Sequence, residues 1–128
     1  MKIACGTDII EISRIKESIE SDFGEKFLER VFTQKEKEYC ESKNSVKYQH
    51  YAARFAAKEA IFKAISKRLE SKFDIEWKQM EILNDETGRP YVIIHHDISN
   101  FIDEIDLSIS HCKEYATANV VVIFDVRR

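Results

Sequence analysis

One long helix constrains what this sequence can fold into more than any other feature. Apolar and small side chains recur at helical spacing over residues 46–70. Alanines at positions 52, 56 and 60 stand one turn apart and form a smooth ridge along one face of that helix. A ridge of small side chains allows another stretch of backbone to approach closely. We therefore expect the remaining elements to pack around this helix.

The segments before the long helix predict one strand and three short helices. The Ile-rich residues 2–10 indicate a buried strand. Apolar residues at helical spacing indicate short helices around 12–19 and 27–31. Thr33 and Glu36 have the spacing of a capping box, which predicts the beginning of a third short helix.

The segments after the long helix predict two antiparallel pairs of strands. Residues 75–83 and 91–95 flank a turn at 84–90 and form a hairpin. The alternating residues 107–111 pair with a last strand over 115–124. A short helix between the pairs has apolar positions at Ile98, Phe101, Ile102 and Ile105. The pattern predicts an α+β fold in one domain over residues 1–128, with a mainly antiparallel sheet packed on one long helix and several short ones.

Charge and cysteine content argue against several classes of protein. The net charge of −3 does not favour a general nucleic-acid binder, and no apolar run approaches the length of a membrane span. The three cysteines are far apart and lack a C-x-x-C motif, so we expect no disulfide framework or structural zinc. The N-terminus reaches Asp8 too early for a signal peptide. These features predict a cytoplasmic protein that binds neither nucleic acid nor membranes.

The last predicted strand is apolar on both faces over Val120–Phe124. Strands of this kind are normally covered on both sides. Few helices remain to cover two faces of the sheet, so a subunit interface is one explanation and burial within the chain is the other.

Glu59 is the least expected residue of the long helix. It lies between Phe55 and Phe62 on a largely apolar face, where an ionised carboxylate costs several kcal/mol, roughly, unless it is paired or bound to metal. An i,i+4 ion pair with Lys63 would explain it. So would a position beside Lys58 at the edge of the apolar face, where Glu59 reaches water.

Asp8 closes a small apolar strand, where a solvated acid is not expected. It could cap the helix that follows. Alternatively, Asp8 and Glu59 could share an Mg²⁺ ion, which usually takes one or two protein carboxylates together with water and phosphate oxygens. Lys63 could then neutralise phosphate charge. Arg54, Lys58 and Lys63 could equally form a solvated charged face.

Four stretches in order resemble the holo-acyl-carrier-protein synthase family, the small type of 4′-phosphopantetheinyl transferase. They are residues 6–15, residues 54–64 with their Lys-Glu-Ala core, the Asn-Gly-Pro turn at 84–90, and the hairpin at 106–118. Together they span nearly the whole chain.

The resemblance implies a reaction and roles for individual residues. Coenzyme A would donate its 4′-phosphopantetheine arm to a serine of an apo-acyl carrier protein and release adenosine 3′,5′-bisphosphate. Asp8 and Glu59 would bind the cofactor Mg²⁺, Lys63 would contact the phosphates, and these three would form the catalytic set. Glu59, or a water that it holds, is the candidate base. Arg14 matches the position that binds the carrier protein.

The resemblance also assigns residues to coenzyme A and an assembly to the chain. The coenzyme-binding residues would be Arg54, Lys63, Asn84, Gly88, Arg89, Pro90, Ser110 and His111. Small members of the family are trimers with the site at the subunit boundary, which agrees with the doubly apolar last strand.

The sequence departs from the family after Lys63. A Gly-Thr-Gly-like loop is usual there, whereas this chain has Ile65-Ser66-Lys67-Arg68. Lys67 and Arg68 could replace the missing phosphate contacts. Two other functions compete with transfer: a non-catalytic module that binds carrier proteins, and an Mg²⁺-dependent nucleotide hydrolase.

Overall fold

The order of elements follows the predicted alternation of strands and helices. The structure is a computed structural model that describes residues 2–71 and 74–125. Its elements are β1 (Lys2–Glu11), α1 (Ile12–Glu20), α2 (Gly24–Val31), α3 (Gln34–Glu41), α4 (Lys47–Ile65), β2 (Met80–Asn84), β3 (Pro90–Ile94), β4 (Ile102–His111) and β5 (Tyr115–Phe124). Single 3₁₀ turns lie at Asn44–Val46, Ser66–Arg68, Trp77–Gln79 and Asp97–Phe101.

Two antiparallel sheets make up the β part of the molecule. The larger sheet has the order β1-β5-β4, and β2 pairs with β3 in a separate hairpin. Val120 of β5 stands opposite Gly6 of β1 on one side and Leu107 of β4 on the other. The predicted α+β class and the predicted hairpins are confirmed.

Helix α4 lies against the larger sheet along its alanine ridge. Ala52, Ala56 and Ala60 are completely buried. A Cβ atom on Gly6 would lie 1.8 Å from the backbone oxygen of Ala60, so β1 can cross the helix only where it has no side chain. The predicted close approach of a second backbone is thus confirmed. Within residues 2–71 and 74–125, no helix is both long enough and apolar enough to cross a bilayer.

Several local predictions were wrong in extent, among them the strand over 75–83, since β2 begins at Met80 after a 3₁₀ turn. The long helix ends at Ile65 and continues only as the 3₁₀ turn. Ile102 and Ile105 belong to β4, because their i,i+3 spacing also suits a strand that pairs with β5 across a register shift. Strand β1 runs past Asp8 to Glu11 and is mostly exposed, since it is an edge strand. The capping box at Thr33 and Glu36 is confirmed.

The larger sheet buries one face and leaves the other open. Val120, Val122 and Phe124 alternate inward under α4 and are buried. On the open face, Ile3, Ile9 and Val121 keep exposed fractions of 67%, 63% and 47%. Among the described residues, the apolar last strand therefore has a cover on only one side.

Candidate functional site

Asp8 and Lys63 meet where β1 crosses α4. Asp8 shares the inward face of β1 with Gly6, and its Oδ1 accepts a hydrogen bond from Nζ of Lys63 at 3.1 Å. The same ammonium donates to the backbone oxygen of Thr7 at 2.9 Å. Asp8 is not a helix cap, since the N-cap residue of α1 is Glu11. The side chain therefore lies between the strand and the helix, where it is paired with Lys63.

Glu59 lies beside Asp8 without a partner of its own. In the part of the chain that the structure describes, its carboxylate makes no hydrogen bond and no ion pair, so the proposed pair with Lys63 is wrong. Burial raises the pKa of Glu59, and the negative charge of Asp8 raises this pKa further, while Lys63 opposes both effects. A half-buried carboxylate in this state favours a bound cation or a proton.

The two acids, Asp8 and Glu59 (the acid pair), suit a magnesium ion. They are close enough for the charge of one to shift the pKa of the other. Among the described residues there is no cluster of three or more His, Cys, Asp or Glu side chains that could hold a metal. Magnesium needs only one or two carboxylates when phosphate oxygens and water complete its shell. The donor set therefore fits Mg²⁺ better than a structural metal.

A cleft of about 650 Å³ contains both members of the acid pair together with Arg14. We call it the Arg14 cleft. Phe27 and Phe55 supply apolar wall, and Arg14 itself is exposed. The predicted carrier-binding residue therefore lines the same space as the predicted catalytic acids.

Glu59 also lines a second cleft of about 650 Å³, on the side of α4 that carries Phe62. We call it the Trp77 cleft. Its walls are largely apolar, with Trp77 and Met80, and Arg30 is one of two cationic residues on its lining. Glu59 thus lies between two clefts, with Phe55 on the lining of one and Phe62 on the lining of the other. This agrees with the prediction that Glu59 lies on an apolar face of the helix.

Arg54 is buried and binds the turn between β2 and β3. Its guanidinium donates to Oδ1 of Asn84 and lies 4.1 Å from the ring centre of Tyr39. Nδ2 of Asn84 donates in turn to the backbone oxygen of Gly88 at 2.9 Å. The interpretation of Arg54 as part of a solvated face is therefore wrong. Its Nε is buried without a hydrogen-bond partner among the described residues.

The turn itself is built from local hydrogen bonds. Oδ1 of Asp85 accepts from the backbone nitrogens of Thr87 and Arg89 at 2.8 and 3.0 Å. Gly88 has a φ of 86°, a left-handed conformation that favours glycine. The Arg89 side chain is exposed and lies 3.8 Å from Asp106, and Pro90 opens β3.

His111 joins the same side of the molecule as Arg54. Its ring lies 5.6 Å from that of His50, which packs edge-on against Tyr39. Burial, followed by the charges of Arg54 and His111, lowers the pKa of His50 to about 4. Ser110 is exposed at the end of β4.

The predicted site residues therefore form two groups. Arg54 and Glu59 are five residues apart on α4, which separates them by about 140° around the helix axis. Arg54 faces Tyr39 and Asn84, whereas Glu59 faces Asp8. We call Arg54, Asn84, Gly88 and His111 the turn group. The acid pair with Lys63 and Arg14 forms the other group.

Sequence reasoning missed a buried ion pair. Lys58 and Glu36 are both completely buried, with Nζ of Lys58 2.9 Å from Oε1 of Glu36. The capping box marks Glu36 as part of a helix start, but nothing in the sequence indicates that the same carboxylate also reaches α4. The interpretation of Lys58 as a solvated residue is wrong.

Lys67 and Arg68, which replace the glycine loop of the family, are exposed. The guanidinium of Arg68 lies 4.7 Å from the ring centre of Phe124. A phosphate contact by either side chain stays a prediction.

Comparison with known proteins covers almost the whole chain. The model of the 4′-phosphopantetheinyl transferase superfamily matches residues 4–120. The chain is 46% identical over 127 residues to the holo-[acyl-carrier-protein] synthase of Ruminiclostridium cellulolyticum, covering 95% of this chain and 92% of that one. It is 43% identical over 123 residues to the synthase of Protochlamydia amoebophila, covering 94% and 98%.

Solved structures agree with these relatives. The fold matches a Bacillus anthracis holo-(acyl-carrier-protein) synthase in complex with CoA (3′,5′-ADP), with a TM-score of 0.73 and 35% identity over 93% of this chain and 94% of that one. It matches the Helicobacter pylori synthase in complex with coenzyme A with a TM-score of 0.79 and 30% identity over 93% and 99%. This chain belongs to the 4′-phosphopantetheinyl transferase superfamily.

Proposed function

We propose that the protein transfers 4′-phosphopantetheine from coenzyme A to a serine of an apo-acyl carrier protein, in an Mg²⁺-dependent reaction. The observation that carries this proposal is the unpartnered carboxylate of Glu59 beside Asp8, in a cleft that also contains Arg14. An Mg²⁺-dependent transfer to a serine would use these three features together: anionic metal ligands, a base and a cationic docking residue.

Asp8 and Glu59 are the residues that would hold Mg²⁺. When bound, the ion would stabilise negative charge on the pyrophosphate and on the leaving group. Lys63 has a half-exposed side chain, so its ammonium can turn from Asp8 towards a phosphate that enters the cleft. Its charge then helps to hold the coenzyme in place for attack.

The chemical step needs a base for the serine hydroxyl. The serine oxygen attacks the phosphorus that carries the pantetheine arm, and the bond from that phosphorus to the bisphosphate leaving group breaks. Glu59, or a water that it holds, is the candidate base that takes the serine proton. Arg14, exposed on the wall of the same cleft, would orient the carrier protein by its charge.

A homotrimer would bring the two groups of site residues together. The turn group and the acid pair lie on different sides of α4, and we infer that a coenzyme that contacts both bridges two chains. The open sheet face, with Ile3, Ile9 and Val121, supplies apolar area for such contacts. Solution scattering at several concentrations tests the assembly: we expect the mass of three chains, and a strictly monomeric protein would contradict it.

A mass measurement on the carrier protein separates transfer from its two rivals. The protein is mixed with coenzyme A, Mg²⁺ and an apo-acyl carrier protein, with a second sample that lacks carrier. We expect the carrier to gain the mass of one phosphopantetheine. Binding without a mass gain would indicate a carrier-binding module, and cleavage of coenzyme A in the sample without carrier would indicate a hydrolase.

A further inference from the structure

Lys58 is completely buried and fully hydrogen-bonded, although none of the functional roles described above involves it. Its side chain has no exposed surface. Its ammonium donates to Oε1 of Glu36 at 2.9 Å and to the backbone oxygens of Trp77 and Met80 at 2.9 and 2.6 Å. All three N–H groups of the ammonium therefore have acceptors, which lie on two segments of the chain, α3 and residues 77–80.

Glu36 is held just as completely from the other side. Its Oε1 accepts from the backbone nitrogen of Thr33 at 2.8 Å as well as from Lys58, and its Oε2 accepts from the backbone nitrogen of Ile82 at 3.0 Å. One carboxylate thus joins the start of α3, strand β2 and helix α4. A tether of this kind permits little rotation or sliding of the helix.

The residue after Lys58 is Glu59, whose carboxylate has no hydrogen-bond or ion-pair partner among residues 2–71 and 74–125. Successive side chains on an α-helix are about 100° apart, so fixing the direction of Lys58 fixes the direction in which Glu59 leaves the helix. Gly6 fixes the opposite side of the same turn through its close contact with Ala60. The segment that carries Glu59 and Lys63 is therefore held between Gly6 on the sheet side and Glu36 on the other.

We propose that Lys58, through its buried bond to Glu36, is a positioning residue that aims Glu59 at Asp8. This inference rests on the proposed function, because it assumes that the acid pair binds a divalent cation. It adds a role for two residues that touch neither substrate nor metal. Outer residues that orient metal ligands typically change metal affinity by about 10- to 100-fold when they are removed.

Direct metal binding tests the role without relying on turnover. Mn²⁺ replaces Mg²⁺ as the probe, and the spectroscopic signal of free Mn²⁺ is titrated against purified full-length protein. We expect Lys58→Met to weaken Mn²⁺ binding by about tenfold or more. The double variant Lys58→Met/Glu36→Leu removes both buried charges and keeps the measurement possible if the single variant does not fold. We expect the same weakening in it.

Two controls separate positioning from general destabilisation and from a wrong metal site. Ile98→Ala creates a core defect in the 3₁₀ turn at Asp97–Phe101 and should leave Mn²⁺ affinity within about twofold of the parent. Glu59→Ala should abolish tight binding, and normal binding by it would overturn the metal assignment together with the positioning role. If Glu59→Ala loses binding while a folded Lys58→Met or double variant keeps parental affinity, only the positioning role is overturned.

Discussion

Lys58 and Glu59 are neighbours on α4, yet they are charged groups of opposite kinds. Lys58 is completely buried and gives every N–H to an acceptor, whereas Glu59 is half-buried and accepts from no described residue. A fully satisfied buried pair stabilises one arrangement of the chain. An unsatisfied carboxylate is kept available for a ligand. The contrast teaches that burial alone does not show how firmly the fold holds a charged residue: Lys58 is fully paired, whereas Glu59 has no partner among the described residues.

The largest expected effect is the loss of stability when the buried pair of Lys58 and Glu36 is broken. Lys58→Met leaves the Glu36 carboxylate buried without its counter-charge, which should lower the free energy of unfolding by about 3–5 kcal/mol. Denaturant unfolding followed by circular dichroism measures the loss. Replacing both partners, as in Lys58→Met/Glu36→Leu, removes the unpaired charge but leaves the backbone N–H groups of Thr33 and Ile82 without this acceptor, so only part of the stability should return. A loss below about 1 kcal/mol in the single variant would mean that the pair contributes little.

Substitution of Glu59 should have the opposite result, a large loss of activity with little change in stability. Glu59→Ala should reduce kcat for phosphopantetheinyl transfer by at least about 100-fold, because it removes both a proposed metal ligand and the candidate base, while the midpoint of unfolding hardly changes. The exposed Glu38 on α3 offers a matched control, and Glu38→Ala should transfer at the parental rate. Near-normal turnover by Glu59→Ala would remove Glu59 from the mechanism.

A smaller effect is expected at the edge of the Arg14 cleft. Arg14→Glu reverses an exposed charge that does not touch the acid pair, so it should raise KM for the carrier protein by about tenfold and leave kcat nearly unchanged. Steady-state kinetics at two salt concentrations measure this, and high salt should reduce the difference. An unchanged KM would exclude Arg14 from docking.

The smallest effect concerns the stability cost of keeping Glu59 unpartnered. The pKa of Glu59 is raised in the folded protein, so the folded state binds the proton of this carboxyl more tightly than the unfolded state does. The resulting contribution to stability is present below the ordinary value of 4.5 and is lost as the pH rises through the raised pKa. Glu59→Gln should therefore stabilise the metal-free protein at pH 7, by less than about 1 kcal/mol because solvent screens the site. Unfolding at pH 7 and pH 4 checks the sign. A gain that is larger at pH 4 would contradict the cause assigned to the shift.

The sequence predicted the fold well wherever periodicity and local chemistry agreed. The spacing within a single helix predicts the alanine ridge and the capping box at Thr33. Alternation within each of two neighbouring strands predicts the final hairpin. Ile102 and Ile105 were misassigned to a helix, because an i,i+3 interval does not distinguish a helix from a strand whose pairing shifts register. Only the partner strand β5 decides between them.

The sequence singled out the two acids of the candidate site, but it did not predict the surroundings of two cations on α4. Asp8 and Glu59 stood out because acids in apolar segments are unusual, and their family motifs assigned them a common role. Arg54 and Lys58 looked like a solvated face, because helix spacing does not show which residues a distant segment will cover. Their partners, Asn84 and Glu36, are 30 and 22 residues away along the chain. Such pairings depend on tertiary packing, which local patterns do not encode.

One kinetic comparison tests most directly whether Asp8 and Glu59 act together on one ion. Asp8→Asn, Glu59→Gln and the double variant are assayed for transfer to apo-acyl carrier protein over a range of Mg²⁺ concentrations. When two residues bind one ion, removing the second after the first costs little further activity. The double variant should therefore be about as slow as the slower single variant. Losses that multiply, with an unchanged Mg²⁺ dependence in either single variant, would contradict a shared site.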